Sequence, residues 1–131
     1  ARGDDPFGSL LVSGDGAVLA ERSNRVVTSL DVTAHPELHL AQWASVNMTP
    51  EQRSAATMYT SGEHCPMCAA AQVWAGIGRL VFALSAEQIR AVSSGTSIRL
   101  SAREVIERSN AAVVVEGPCD DLVAEAQALF R

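Results

Sequence analysis

Ala56-Thr-Met-Tyr-Thr-Ser-Gly-Glu-His-Cys65-Pro-Met-Cys68-Ala-Ala-Ala-Gln-Val-Trp74-Ala-Gly-Ile-Gly-Arg79-Leu-Val-Phe-Ala-Leu84 is the stretch that decides the fold. Its start, Ala56 to Thr60, has the composition of a short buried strand. Ser61 to His64 read as a loop, and Cys65 to Ile77 as a helix rich in small residues that ends near Gly76 and Gly78. Arg79 to Leu84 is a second apolar strand. A strand, a helix and a strand in this order make a layered α/β unit, with the two cysteines at the helix N-terminus.

Upstream, Gly8 to Ser13 and Ala17 to Glu21 are strand candidates joined by Ser13-Gly14-Asp15-Gly16, a tight-turn composition that predicts an antiparallel pair. From Ala34 to about Val46, Leu38, Leu40, Ala41, Ala44 and Val46 fall roughly at helical spacing. Thr33 is the expected N-cap, and Pro36 is tolerated because the first turn needs no N–H at that position. His35 and Glu37 therefore also stand at a helix start. Thr49 to Arg53 reads as a connecting turn. Downstream, Ala86 to Val92 and Ser101 to Arg108 are short helices, Ala112 to Glu116 a strand, and Asp120 to Phe130 an amphipathic helix with Leu122, Val123, Ala126 and Leu129 on one side.

The chain's 131 residues, 47% of them hydrophobic, match one compact domain spanning 1–131. No apolar run approaches the roughly 18 residues of a membrane span, and Ala1 to Asp5 lack a signal peptide's apolar core. A soluble, cytoplasmic protein is expected. Gly3-Asp4-Asp5-Pro6 is turn-like and would follow an element more naturally than open a protein.

Net charge is −5, and all ten basic residues are Arg. Without lysine, Schiff-base catalysis, pyridoxal phosphate attachment and the P-loop phosphate clamp are excluded. The acidic balance argues against a broad nucleic-acid footprint and for a small, largely uncharged substrate. Three cysteines, two of them in Cys65-Pro-Met-Cys68, and no secretory cue speak for metal-binding thiolates in a reducing compartment rather than a disulfide framework.

One imidazole, His35, and two thiols, Cys65 and Cys68, make three zinc ligands and leave the fourth tetrahedral corner open to water. Two cysteines three apart reach one ion when the second lies a turn above the first, and a helix N-terminus stabilises thiolate. Glu37, two residues from His35, can handle protons for a metal-bound water whose pKa the metal lowers toward ~7. Such a device attacks an electron-poor sp² carbon. If that carbon bears an exocyclic amine, collapse of the adduct expels ammonia.

These residues resemble the zinc-dependent cytidine deaminase superfamily, especially its guanine deaminase and tRNA adenosine deaminase branch. The likeness runs from Pro6-Phe7-Gly8 through Ser23-Asn24-Arg25 and Asp31-Val-Thr-Ala-His35-Pro-Glu37 to Thr60 through Ala70 and on into Gly78-Arg-Leu-Val-Phe-Ala83. It implies an α/β fold, a three-layer α/β/α sandwich with a mixed five-stranded sheet, usually assembled as a homodimer or larger. It also implies Zn2+ held by His35, Cys65 and Cys68, with Glu37 as general acid and base. By the same resemblance Asn24 contacts the base or its sugar, Trp74 matches a tryptophan of the guanine deaminases, and Glu63 helps protons reach the departing amine. Two positions depart from the pattern: His64 replaces a proline and Pro36 an alanine. The helix that leads the family before Pro-Phe-Gly is expected to be missing.

The implied substrate is a free amino-heterocycle or small nucleoside, guanine first and cytosine- or triazine-like rings second. A tRNA adenosine deaminase is the rival. Other readings of the same residues compete with these. His39, four after His35, would close a structural Cys₂His₂ site, but Glu37 would then have no role. A thiol redox pair at Cys65 and Cys68 leaves both His35 and Glu37 unexplained. Asn24 could stabilise its loop, Glu63 could cap the helix that begins at Cys65, and Trp74 reads first as core and second as pocket lining. Phe7 could stack on a substrate, and His64 adds a titratable donor beside the metal loop. Cys119 is assigned no chemistry.

Overall fold

The computed structural model describes residues 3–130. The chain runs β1 (Gly8–Val12), β2 (Val18–Ser23), α1 (Val26–Ser29), α2 (Pro36–Asn47), α3 (Pro50–Ala55), β3 (Thr57–Gly62), α4 (Pro66–Ala75), β4 (Arg79–Leu84), α5 (Ala86–Arg90), α6 (Ala102–Glu107), β5 (Val114–Glu116), a 3₁₀ turn (Asp120–Leu122) and α7 (Val123–Ala128). The strands form one mixed sheet in the order β2-β1-β3-β4-β5, antiparallel for the first two pairings and parallel for the last two. This is the mixed five-stranded sheet with helices that the family resemblance implies.

Register fixes which side chains meet the helices. Leu11 pairs with Met58, and Met58 with Leu80, so one sheet face carries an apolar row that α2 and α4 cover with Leu40, Ala41, Ala44 and Ala75. Further along the same face, Ala69 of α4, Leu80 and Phe82 of β4, and Ala102 and Ile106 of α6 make a second cluster. Ser9, Thr60 and Phe82 are paired in sequence across β1, β3 and β4, so two hydroxyls sit in this inward row. On the other face α7 packs against β4, where α5 also meets α7.

Four local expectations are corrected. His35, not Thr33, is the N-cap of α2, because Asp31 takes both the Thr33 N–H and hydroxyl in a tight turn. Thr49 to Arg53 is no simple turn: Thr49 and Gln52 form a capping box, Pro50 occupies the first turn, and α3 follows. The final helix is broken into a 3₁₀ turn and the short α7, and its Leu122 and Leu129 are exposed rather than aligned on a buried stripe. Trp74 is 88% exposed: the buried positions of α4 are Cys68, Ala69, Gln72 and Ala75, and Trp74 lies on the opposite side of the helix. Gly76 ends α4 in the left-handed conformation (φ 73°), as a small residue there predicts.

Candidate active site

Two helix N-termini converge on one point. His35 caps α2 and Cys65 caps α4, both with extended backbone, and Pro36 and Pro66 occupy the first helical position of each. Neither cap residue makes a side-chain capping bond. Imidazole and thiol are therefore turned toward each other, with Cys68 one turn up α4. The Cys65 Sγ lies 3.6 Å and the Cys68 Sγ 3.5 Å from His35 Nδ1, and the three donor atoms all fall within 4.8 Å of one another.

These distances test whether zinc fits. Bonds of about 2.3 Å to sulfur and 2.0–2.1 Å to nitrogen at a tetrahedral angle put S and N about 3.6 Å apart. Both observed sulfur–nitrogen spacings match. His39 is absent from this group; it lines a surface cavity of about 400 Å³ with Glu21, Arg22, Ser23 and Arg25. Among the described residues no fourth side chain closes the set, which is the open arrangement of a catalytic ion.

Electrostatics point the same way. The Cys65 thiol is pulled down to about 4, chiefly by the hydrogen bond that Cys68 donates to its sulfur, with His35 adding to the effect against burial. The same bond and burial push Cys68 up. His35 is raised, first by its hydrogen bond with Cys65. A thiolate thus stands ready at Cys65 beside two groups that a divalent cation would deprotonate.

Glu37, in the first turn of α2, is only 6% exposed, and burial pushes its carboxyl up to about 7. Ser9 Oγ lies 3.3 Å from Glu37 Oε1 and 2.9 Å from Thr60 Oγ1, and Thr60 donates to the Gly62 carbonyl at 3.0 Å. Ser9 can turn its single proton either way. It donates to an ionised Glu37, or accepts from a protonated Glu37 while donating to Thr60. Ser9 and Thr60 were not singled out from the sequence. The available signal was a hydroxyl at an inward-facing position of each strand.

The remaining expected residues divide. Asn24 is buried; its carbonyl oxygen accepts from Val26 N–H and its own N–H reaches the Phe7 carbonyl. The half-buried Phe7 packs edge-to-face on Phe130 at 5.3 Å and lies beside Gly62, where a Cβ would come within 2.8 Å of its ring. Glu63 does not cap the helix at Cys65. Its two oxygens accept from Ala86 N–H at 3.0 Å and Ala102 N–H at 2.7 Å, clasping the starts of α5 and α6. His64 is 1% exposed and hydrogen-bonded to Gln72 at 2.7 Å, so it contacts the protein interior rather than a substrate. Burial lowers its imidazole to about 4. Trp74, exposed on the outer side of α4, lies six residues or about 9 Å along the axis from Cys68.

Comparison with known proteins places this arrangement. The model of the MafB19-like deaminase family matches residues 1–118. The chain belongs to that family. A probable cytosine deaminase of Schizosaccharomyces pombe is 30% identical over 120 residues, covering 88% of this chain and 72% of that protein. A tRNA-specific adenosine deaminase of Agrobacterium fabrum is 38% identical over 94 residues, 72% of this chain and 61% of the relative. Among solved structures, a guanine deaminase from Nitrosomonas europaea superposes with a TM-score of 0.71 at 26% identity, over 98% of this chain and 72% of that one. Fold and family together are those of a hydrolytic deaminase related to enzymes of bases and of tRNA adenosine. Among the described residues no helix is long and apolar enough to cross a membrane.

Proposed function

We propose that the chain is a zinc-dependent aminohydrolase of a free amino-heterocycle or small nucleoside, with guanine as first substrate and cytosine- or triazine-like rings second. The observation that carries the reading is the pairing of an open three-ligand group with a buried carboxyl, Glu37, held by Ser9. Zinc held by His35, Cys65 and Cys68 would lower the pKa of a water toward ~7. Glu37, poised near neutrality, would take one proton from the attacking water and pass it to the ring nitrogen beside the amine-bearing carbon, then take the second from the adduct's new hydroxyl and pass it to the leaving amine. Ser9 follows each change by reversing its hydrogen bond. Asn24 and Phe7, joined through the Phe7 carbonyl, are the residues proposed to meet the ring.

The net charge of −5 and the relatives acting on cytosine and guanine support a small uncharged substrate. A specific observation favours the second reading, adenosine in tRNA: Arg22, Arg25 and His39 line one surface cavity, although Glu21 shares it. The test is ammonia release by zinc-loaded protein from guanine, cytosine, aminotriazines and an anticodon stem-loop containing adenosine. Release from a free base is expected. Conversion of the stem-loop alone would replace the first reading by the second.

A further inference from the structure

We infer that His64 and Gln72 form a positioning pair that holds the two metal-ligating sulfurs at their working separation, an inference that rests on the zinc reading of the site. His64 immediately precedes Cys65, and Gln72 lies one turn beyond Cys68 on the buried side of α4. The bond between them, His64 Nε2 to Gln72 Oε1 at 2.7 Å, therefore ties the loop that carries the first thiol to the helix that carries the second.

The direction of this bond follows from its neighbours. Gln72 Nε2 donates to the Ile77 carbonyl at 3.3 Å and the Arg79 carbonyl at 3.1 Å, so its Oε1 is the acceptor and His64 carries its proton on Nε2. One buried amide thus links the metal loop, the end of α4 and the first residue of β4. Both side chains are essentially inaccessible, at 1% and 0% exposure, so neither serves a substrate directly.

Simple packing does not account for the pair. His64 keeps Nδ1 buried with no hydrogen-bond partner among the described residues, a cost an apolar side chain of similar volume would avoid. What the apolar side chain would lack is direction. Packing sets a distance, whereas a hydrogen bond also sets an angle, and three ligands for a tetrahedral ion need both. Cys65 meets its own helix through the bond its sulfur accepts from Cys68, and the brace at the preceding residue holds the backbone that carries that sulfur.

The experiment uses the full chain with His64→Leu, His64→Met and His64→Gln. Zinc retention is read by competition with a chelator, ligand geometry by the visible spectrum of the cobalt-substituted protein, and folding by the Tm of the metal-free protein. Leu and Met remove the donor; Gln restores an N–H at similar reach. Folded His64→Leu, or His64→Met should the former fail to fold, is expected to lose zinc affinity ~10–100-fold with an altered cobalt spectrum, while His64→Gln recovers both. Zinc affinity within about threefold of wild type together with an unchanged spectrum in the donor-less variants overturns the inference, as does failure of Gln to rescue. Wild-type protein that binds no zinc removes both this inference and the reading beneath it. Zinc-binding protein that deaminates nothing leaves the brace standing and refutes only the function.

Discussion

Glu37→Gln separates two consequences of burying one carboxyl. In the metal-free protein, burial raises Glu37 from an ordinary 4.5 to about 7, and at about 1.4 kcal/mol per pH unit that displacement corresponds to about 3 kcal/mol. The native state holds the proton more tightly than the unfolded chain does. Its contribution to stability is therefore complete below about pH 4.5 and is lost as pH rises through about 7. Glutamine is neutral throughout and can still bond Ser9. Urea unfolding of the reduced, metal-free variant and wild type from pH 4 to 8 should show little difference at the acid end. The variant should become more stable by about 3 kcal/mol above neutrality. His64, lowered to about 4 by burial, removes stability as pH falls from 6.5, but it does so in both proteins and cancels in the difference. The same variant should keep its zinc and lose ~10²–10⁴ in turnover. A stability difference that does not vary with pH would refute the burial argument, and loss of zinc would make Glu37 a ligand and refute its role as proton carrier.

Three further outcomes follow from particular contacts. Cys68→Ser should abolish stoichiometric zinc measured by metal analysis, and chelation of the wild type should lower its Tm, because metal binding is linked to folding. Ser9→Ala should retain zinc but lower kcat by about fivefold in steady-state assays, the worth of one positioning hydrogen bond of about 1 kcal/mol. Gly78→Ala should destabilise by about 3 kcal/mol or more in urea unfolding, since its Cβ would sit 2.0 Å from the Ser54 carbonyl oxygen.

How far the sequence could be read depended on whether the relevant contact was local. Pro36 and Pro66 mark the first turns of α2 and α4, so the residues just before them, His35 and Cys65, could be placed at helix starts without knowing the fold. β4 matches its expected limits because the apolar run Leu80 to Leu84, with Gly78 and Arg79 before it and Ser85 after it, has the length of a strand and is too short for an ordinary helix. The α3 helix escaped because six residues carry no periodicity; only Thr49 and Gln52, three apart, announced it. Trp74 escaped for the opposite reason. Apolar character suggested the core, although counting around α4 from Cys68 puts the ring on the outer side. The partners of the site residues lie far off in sequence, so no local pattern pairs them: Ser9 reaches Glu37 across 28 positions and Thr60 across 51, and Glu63 clasps backbone 23 and 39 residues away.

That division has a physical origin in the site itself. Zinc ligands must be fixed in angle, and a helix N-terminus does this with short-range chemistry that leaves a mark in the sequence. Adjusting Glu37 needs something else, a water-poor enclosure and a hydroxyl that can reverse its hydrogen bond, and β1 supplies the hydroxyl. Leu11 and Leu40 come from β1 and α2, the elements that also carry Ser9 and Glu37, and they belong to one core cluster. The apolar core and the raised carboxyl are therefore one structure. A substitution that opens the seam between β1 and α2 should lower the Glu37 pKa before it disturbs any zinc ligand.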